Sequence, residues 1–304
     1  MKRVTSDIVQ YTLSPLHKPV VKVKPGESVV VETIDALCGA VTEDSPLEKL
    51  LTEGRVPDYF NPVSGPIYVK TARPGDTLVV EITDIKVGVK GVTVNFPGIG
   101  GLTASYLQEN LSPRTKISHI ENGIIHFPME NGRKKIEIPV DPLVGTIGTA
   151  PPIEAQLSTK PDKHGGNMDC SDVTKGSKLS LPVFVDGALL YLGDVHAVQG
   201  DCEICGVAVE TPSETIVKVD VIHGRSINWP RIATPSEILT VCSSASLEHA
   251  TKLAFTELVV WLTEDYGFDR MDAYLLCSQV AKARICQIVN ERYTVAAKFP
   301  RRYF

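Results

Sequence analysis

The chain has 304 residues, with 43% hydrophobic residues, 22% charged residues and a formal net charge of −5. This ordinary globular composition excludes global disorder and supplies enough apolar residues for one large domain or two modest ones. The acidic balance argues against a nucleic-acid-binding face, the basic residues Lys298, Arg301 and Arg302 being too few to make one, and no run of about 18 apolar residues exists to span a membrane.

Met1-Lys2-Arg3 has the look of a secretory leader, but Ser6, Asp7 and Gln10 interrupt the apolar segment that a leader needs. Short β-prone runs follow at Val29–Val31, Leu78–Val80, Lys135–Val140 and Val183–Tyr191, punctuated by Gly, Pro, Asn or Asp. Leu47–Thr52 and Thr103–Glu109 are short helices at most. Pro25–Asp35 is echoed by Pro74–Asp84, each a Pro-Gly turn feeding a β-run that ends in Asp. Thr211–Glu214 is echoed by Thr234–Glu237. Recurrent turn chemistry explains both echoes, with duplication as the alternative, and two copies do not make a solenoid.

The C-terminal third changes character. Leu247, Ala250, Ala254, Leu258 and Trp261 recur at steps of three and four, predicting a helix from Ser246 to Tyr266 with Ser246 as N-cap and Gly267 as terminator. A second helix runs from Asp269 to about Lys282, with Met271, Tyr274, Leu275, Ser278 and Val280 expected in core packing or a dimer seam. Ile285–Val289 returns to strand composition. The expected fold is therefore mainly β, a sandwich- or barrel-like body over residues 1–210, with a C-terminal α/β part over 211–304 containing two helices.

The densest polar cluster is Gly193–Gly206, which holds Asp194, His196, Asp201 and Glu203. If the apolar strand Ala188–Leu192 continues, Asp194 and His196 share one face, and Asp201 and Glu203 repeat that spacing after Gly200. Three carboxylates and an imidazole within ten residues repel one another and are costly to bury unpaired. A divalent cation compensates this best, and a nucleophile–base site comes next; the competing reading is a solvated polar loop. His164–Asp169 is a second candidate, since paired glycines allow close backbone approach while His164, Asn167 and Asp169 offer polar contacts. Pro97–Gly101 and Val144–Ala150 lack the spacing of a phosphate loop or dinucleotide fingerprint.

Cys202 and Cys205 form a single Cys-x-x-Cys pair with no second pair to complete a zinc ribbon, and their acidic setting raises the thiol pKa rather than activating it. Cys205 is expected to be a small buried residue. Seven cysteines without regular spacing suit reduced thiols and a cytoplasmic location.

With these residues in view, the chain resembles the acetamidase/formamidase family. The resemblance is carried by Pro25–Asp35, Asn61–Pro66, Gly145–Pro151, His164–Asp169, Asp272 through Val289, and above all Gly193–Gly206. It departs at Cys202, where the family pattern has a small residue such as glycine. The resemblance implies hydrolysis of a formamide- or acetamide-like carboxamide to carboxylate and ammonia, a divalent metal and a homodimer or higher homo-oligomer. Zn²⁺ leads, with Mn²⁺ or Ca²⁺ as alternatives. On this reading Asp35, Asp194 and His196 are metal ligands, Asp35 because it ends a strand and matches the family pattern, with His164 able to replace one. Glu203 acts as general base and then acid, with Asp201 as the other catalytic carboxylate. Asn167, Gln199 and His164 bind substrate, and Asp169 or Asp201 holds the imidazole. The competing classes are a non-catalytic β-sandwich that binds a metal or small ligand, and a structural oligomer that has lost the activity.

Overall fold

A computed structural model describes residues 1–102, 104–107, 111–130 and 134–304. Two sheets packed face to face make the body. The larger has nine strands in the order Lys2–Val4, Ser28–Thr33, Ser213–Ile222, Thr77–Val87, Lys178–Pro182, Arg231–Ala233, Glu237–Ser244, Tyr293–Pro300 and Lys282–Gln287. The smaller is built on Leu143–Thr149, Leu190–His196 and Val63–Val69, with Gly165–Asn167, Val9–Gln10 and Val21–Val23 at its margins.

Period-two alternation explains the layering. Leu239, Val241 and Ala296 point into the core between the sheets, where they join Val31, Val80 and Leu179 from one side and Ile67, Val144 and Leu192 from the other. Ile238, Cys242, Val295, Ala297 and Phe299 point the other way, onto the two C-terminal helices. Truncating one of these fully buried leucines, Leu179→Ala for example, would cost about 2–5 kcal/mol through lost transfer energy and the cavity left behind.

The first of those helices is Leu247–Tyr266. The Ser246 side chain accepts from His249 N, Gly267 closes it at φ 71°, and Ala250, Ala254, Leu258 and Trp261 are buried, matching the expected stripe. The second is Arg270–Val280, where Asp269 caps Met271 and Asp272. Here Ala273 and Cys277 are buried, whereas Met271, Tyr274 and Leu275 are exposed on the single chain, so of the two expected roles core packing is not theirs and only the dimer seam is left open. The mainly β architecture with two C-terminal helices is as the sequence indicates. The strands after residue 210 belong to the same nine-stranded sheet as Ser28–Thr33 and Thr77–Val87.

The echoed segments Pro25–Asp35 and Pro74–Asp84 supply Ser28–Thr33 and Thr77–Val87, which flank Ser213–Ile222 on either side, both antiparallel to it. Their final aspartates diverge: Asp35 is buried and Asp84 pairs with Lys175 at the surface. The run Val183–Tyr191 is not one strand. Ala188 and Leu189 adopt left-handed φ of 58° and 53°, so residues 183–189 turn and the strand begins at Leu190. Their apolar character serves burial within the turn. A four-stranded sheet, Lys90–Asn95, Arg114–Glu121, Ile124–Phe127 and Ile136–Pro139, packs Ile125 on Ala197 and Val209, next to the segment richest in polar groups. The helix Leu47–Glu53 is present as expected. Of the Thr103–Glu109 helix, Ala104–Leu107 is observed, while Thr103, Gln108 and Glu109 lie outside the described residues. Among the described residues, no helix is long and apolar enough to cross a membrane.

Candidate active site

The centre of the site is a distorted stretch of the strand Leu190–His196. Val144 pairs with Val195 and Thr146 with Gly193, but between them Asp194 takes φ +56°. That conformation is unfavourable for a non-glycine residue and is a reason to look for function nearby. The side chain so directed places Asp194 Oδ1 3.2 Å from His196 Nε2. Oδ2 of the same carboxylate accepts from Asn61 Nδ2 and from Thr146 Oγ1, each at 3.0 Å. Opposite Asp194 sits Gly145, and the absence of a side chain there is required: a Cβ would lie 2.7 Å from Asp169 Oδ1 and 2.9 Å from Asp194 Oδ2.

Two further carboxylates arrive on left-handed residues, Asp169 at φ 47° and Glu203 at φ 46°. A fourth, Glu210, comes from the far end of the loop. Its backbone bridges to both Val92 and His196, its Oε1 accepts from Ala208 N at 2.9 Å, and its Oε2 lies 3.3 Å from His196 Nε2. Asp169, Asp194, His196, Glu203 and Glu210 are all buried. Ligand atoms of Asp169, His196 and Glu203 lie within 4.8 Å of one another, as do those of Asp194, His196 and Glu210.

So many buried charges perturb one another. Burial pushes the Asp169 and Glu203 carboxyls well above the usual carboxylate range, and neighbouring carboxylates push them further. Glu210 is raised to about 7, chiefly by burial and partly restrained by His196. Burial opposes charge on His196, but Glu210 and Asp194 outweigh it and hold the imidazole well above its ordinary value. Both Asp169 carboxylate oxygens and Glu210 Oε2 are buried without a hydrogen-bond partner. Buried acceptors of this kind call for a counter-charge, and one imidazole with several carboxylate oxygens is a fitting donor set for a divalent cation.

Above this cage lies a recess of about 120 Å³. Its polar floor includes Asn167, Asp194, Glu203 and Glu210, and its walls are Leu37, Phe60, Val94, Phe96 and Val207. Phe60 and Phe96 meet edge to face, with centroids 5.9 Å apart.

Of the residues expected in the site, Asp194, His196, Glu203 and Asn167 converge. Asp35 lies close enough for Asp194 to raise its carboxyl further, after burial, but its Oδ1 is bound by Leu37 N and Gly39 N, and it belongs to neither group of ligand atoms. Asp201 faces solvent and pairs with Arg284 Nε at 3.0 Å. The i, i+2 argument fails there because residues 201–203 form a short helical turn, with Cys202 at φ 76°. His164 is buried away from the recess lining, its pKa lowered to about 4 by burial. Gln199 does not line the recess but holds His196 from behind, Oε1 to Nδ1 at 2.9 Å. Cys205 is not buried as expected: it edges the recess and donates to Val207 O. The Cys202 thiol is raised by burial and then by Asp201. Glu210, Asn61 and Thr146 fall in segments that the sequence singles out, but it assigns them no role, because their parts depend on pairing between distant segments.

A two-layer β fold with a buried carboxylate–imidazole cage under an apolar recess defines the class, and the chain belongs to the acetamidase/formamidase family, whose model matches residues 13–160 and 153–304. It is 28% identical over 258 residues to an acetamidase of Mycolicibacterium smegmatis, covering 66% of this chain and 63% of that protein. It is likewise 28% identical over 249 residues to a formamidase of Methylophilus methylotrophus, covering 66% and 60%. The matches thus span little more than six-tenths of the length of these curated relatives. Among solved structures, an acetamidase from Bacillus halodurans superposes with a TM-score of 0.90 at 33% identity, covering 99% of this chain and 98% of that one.

Proposed function

We propose that this protein hydrolyses a small carboxamide to a carboxylate and ammonia, using a divalent cation held by Asp194, His196 and Glu210, with Asp169 and Glu203 as the adjoining carboxylates. The observation that carries the reading is the buried cage itself, with acceptor oxygens that lack partners, opening on a recess of small-molecule size. Its volume of about 120 Å³ is close to the roughly 150 Å³ of a cavity that holds benzene, so an amide the size of acetamide fits. The names of the relatives point to the same substrates. Zn²⁺ leads among the cations, and the number of oxygen donors keeps Mn²⁺ and Ca²⁺ as alternatives.

A bound cation supplies Lewis acidity and lowers the pKa of a nearby water, contributing several kcal/mol to transition-state stabilisation. Glu203 lines the recess and adjoins the proposed ligands, a position that suits a group taking a proton from the attacking water and returning it to the departing amine, worth about 10²–10⁴-fold in rate. Asn167 lines the recess beside Thr146 Oγ1, a contact that fixes its side-chain amide where it can orient the substrate. The apolar walls exclude water from the reacting centre and strengthen these electrostatic contacts.

The test is ammonia release from formamide, acetamide and their short homologues, before and after chelation, with Zn²⁺, Mn²⁺ and Ca²⁺ added back singly. Chelation is expected to abolish turnover and one ion to restore it. Metal binding without turnover of any amide would favour the non-catalytic binding protein, and full activity after complete metal removal would refute the metal-dependent reading.

A further inference from the structure

We infer that Gln199 is a positioning residue that locks His196 as the Nδ1–H tautomer and so turns its Nε2 lone pair towards the carboxylate cage. The assignment follows from donor and acceptor chemistry alone. Gln199 Nε2 lies 2.8 Å from Asp169 O and 3.1 Å from Cys286 O. Both partners are backbone carbonyls, which only accept, so the amide nitrogen must be the end that faces them. Rotating the amide by half a turn would set its carbonyl oxygen against two others and lose both bonds. Its Oε1 is therefore the atom 2.9 Å from His196 Nδ1. Oε1 carries no proton, so Nδ1 must donate.

The neutral ring then has its lone pair on Nε2, the atom 3.2 Å from Asp194 Oδ1 and 3.3 Å from Glu210 Oε2. A lone pair among carboxylate oxygens is repulsive by itself and becomes favourable when a cation occupies the centre. This consequence rests on the metal reading above; the tautomer does not. An imidazole ligand held through its other nitrogen is oriented and made more basic, and loss of such a partner weakens metal affinity about 10–100-fold.

Gln199 also joins parts of the site that are remote in sequence. It grips the backbone of Asp169, whose side chain enters the cage, and that of Cys286 in the strand Lys282–Gln287. Just beyond that strand, Ile288 N donates to Cys202 O and steadies the turn that carries Glu203. The expected role of Gln199 as a substrate contact is replaced by this one.

The test uses the full chain with ¹⁵N-labelled histidine, His196 being assigned by its loss in His196→Asn. In wild-type protein loaded with Zn²⁺ the ring is expected to carry its proton on Nδ1 and bind through Nε2. In metal-free protein at alkaline pH, Nδ1–H is again expected. Gln199→Met, which keeps the bulk and removes every polar contact, should weaken Zn²⁺ binding about 10–100-fold in chelator competition. An Nε2–H tautomer in the wild type, or unchanged Zn²⁺ affinity in Gln199→Met, overturns the assignment. If Gln199→Met does not fold, the wild-type spectra decide alone. If the wild type takes up no metal, the metal reading falls, while the metal-free tautomer still decides the role of Gln199.

Discussion

Glu210 Oε2 stands 3.3 Å from His196 Nε2, with both side chains about 1% exposed. The contact brings a fourth carboxylate to Asp169, Asp194 and Glu203 around one imidazole, so the metal-free cage becomes over-supplied with negative charge once the pH passes about 7 and Glu210 ionises. Glu210→Gln should therefore have opposite effects on two measurements. At pH 8 it relieves repulsion in the metal-free protein, raising its thermal midpoint by about 2–4 °C for each kcal/mol gained. It also removes a proposed ligand, so Zn²⁺ affinity should fall by more than the roughly 10–100-fold expected for loss of a supporting partner. A lower midpoint with intact Zn²⁺ affinity would contradict this view of the cage.

The same crowding sets a pH dependence. Asp169 and Glu203 lie well above the usual carboxylate range and Glu210 is at about 7, whereas the unfolded chain releases these protons near pH 4. From about pH 4.5 to 7 the folded metal-free protein therefore binds more protons than the unfolded chain, and linkage makes its stability fall as pH rises. His196, raised by Glu210 and Asp194 against the effect of burial, adds a loss of the same sign as pH passes its folded value. Glu48 and Asp76, both shifted below their ordinary values, stay ionised through this window and contribute no slope, while His164, lowered to about 4 by burial, opposes the decline up to about pH 6.5 as one group against three carboxyls. Urea midpoints with a chelator present should decline from pH 5 to 7.5, and Zn²⁺ should flatten the decline by taking the place of the protons. A chelated protein that gains stability across that range would rule the account out.

Local chemistry made the helices legible. Ser246 and Asp269 cap as their types suggest, and the Ala250–Trp261 stripe is buried as its period requires. The candidate site was legible where it is contiguous: Asp194, His196 and Glu203 stand out by charge density alone and come together in the fold. What was lost depends on geometry that spacing does not encode. Asp35 ends a strand beside the cage, yet an oxygen is bound by its own turn. Glu210 lies 14 positions beyond His196 and meets it because its backbone bridges to Val92 and back to His196. Val183–Tyr191 looks like a strand because apolar residues buried in a turn have the same composition as those in a sheet.

Asp201 and Glu203 provide an internal comparison, two acids two residues apart in opposite environments. Asp201 is in an exposed pair with Arg284, and such pairs are worth about 0–1 kcal/mol, so Asp201→Asn should change amide turnover by no more than about fivefold. Glu203 is buried and faces the recess, and Glu203→Gln should lower kcat by about 10²–10⁴-fold while unfolding stays cooperative. Equal losses in the two variants would remove Glu203 from its proposed role.

Gly145 provides the sharpest steric test. Its φ lies outside the left-handed region, so alanine is acceptable to the backbone, and Gly→Ala at a compatible position ordinarily stabilises by about 0.4–1 kcal/mol. Here the new methyl would meet Asp169 Oδ1 at 2.7 Å, Asp194 O at 2.8 Å and Asp194 Oδ2 at 2.9 Å. Two of those atoms are carboxylate oxygens of the cage and the third is backbone, so relief must come from moving the acids. Overpacking of this kind costs about 1–3 kcal/mol, enough to reverse the ordinary gain. Gly145→Ala should therefore lower the urea midpoint, weaken Zn²⁺ binding and reduce amide turnover together, without adding or removing any polar group. A variant more stable than the wild type that binds Zn²⁺ normally would show that Asp169 and Asp194 need not hold these positions for the site to form.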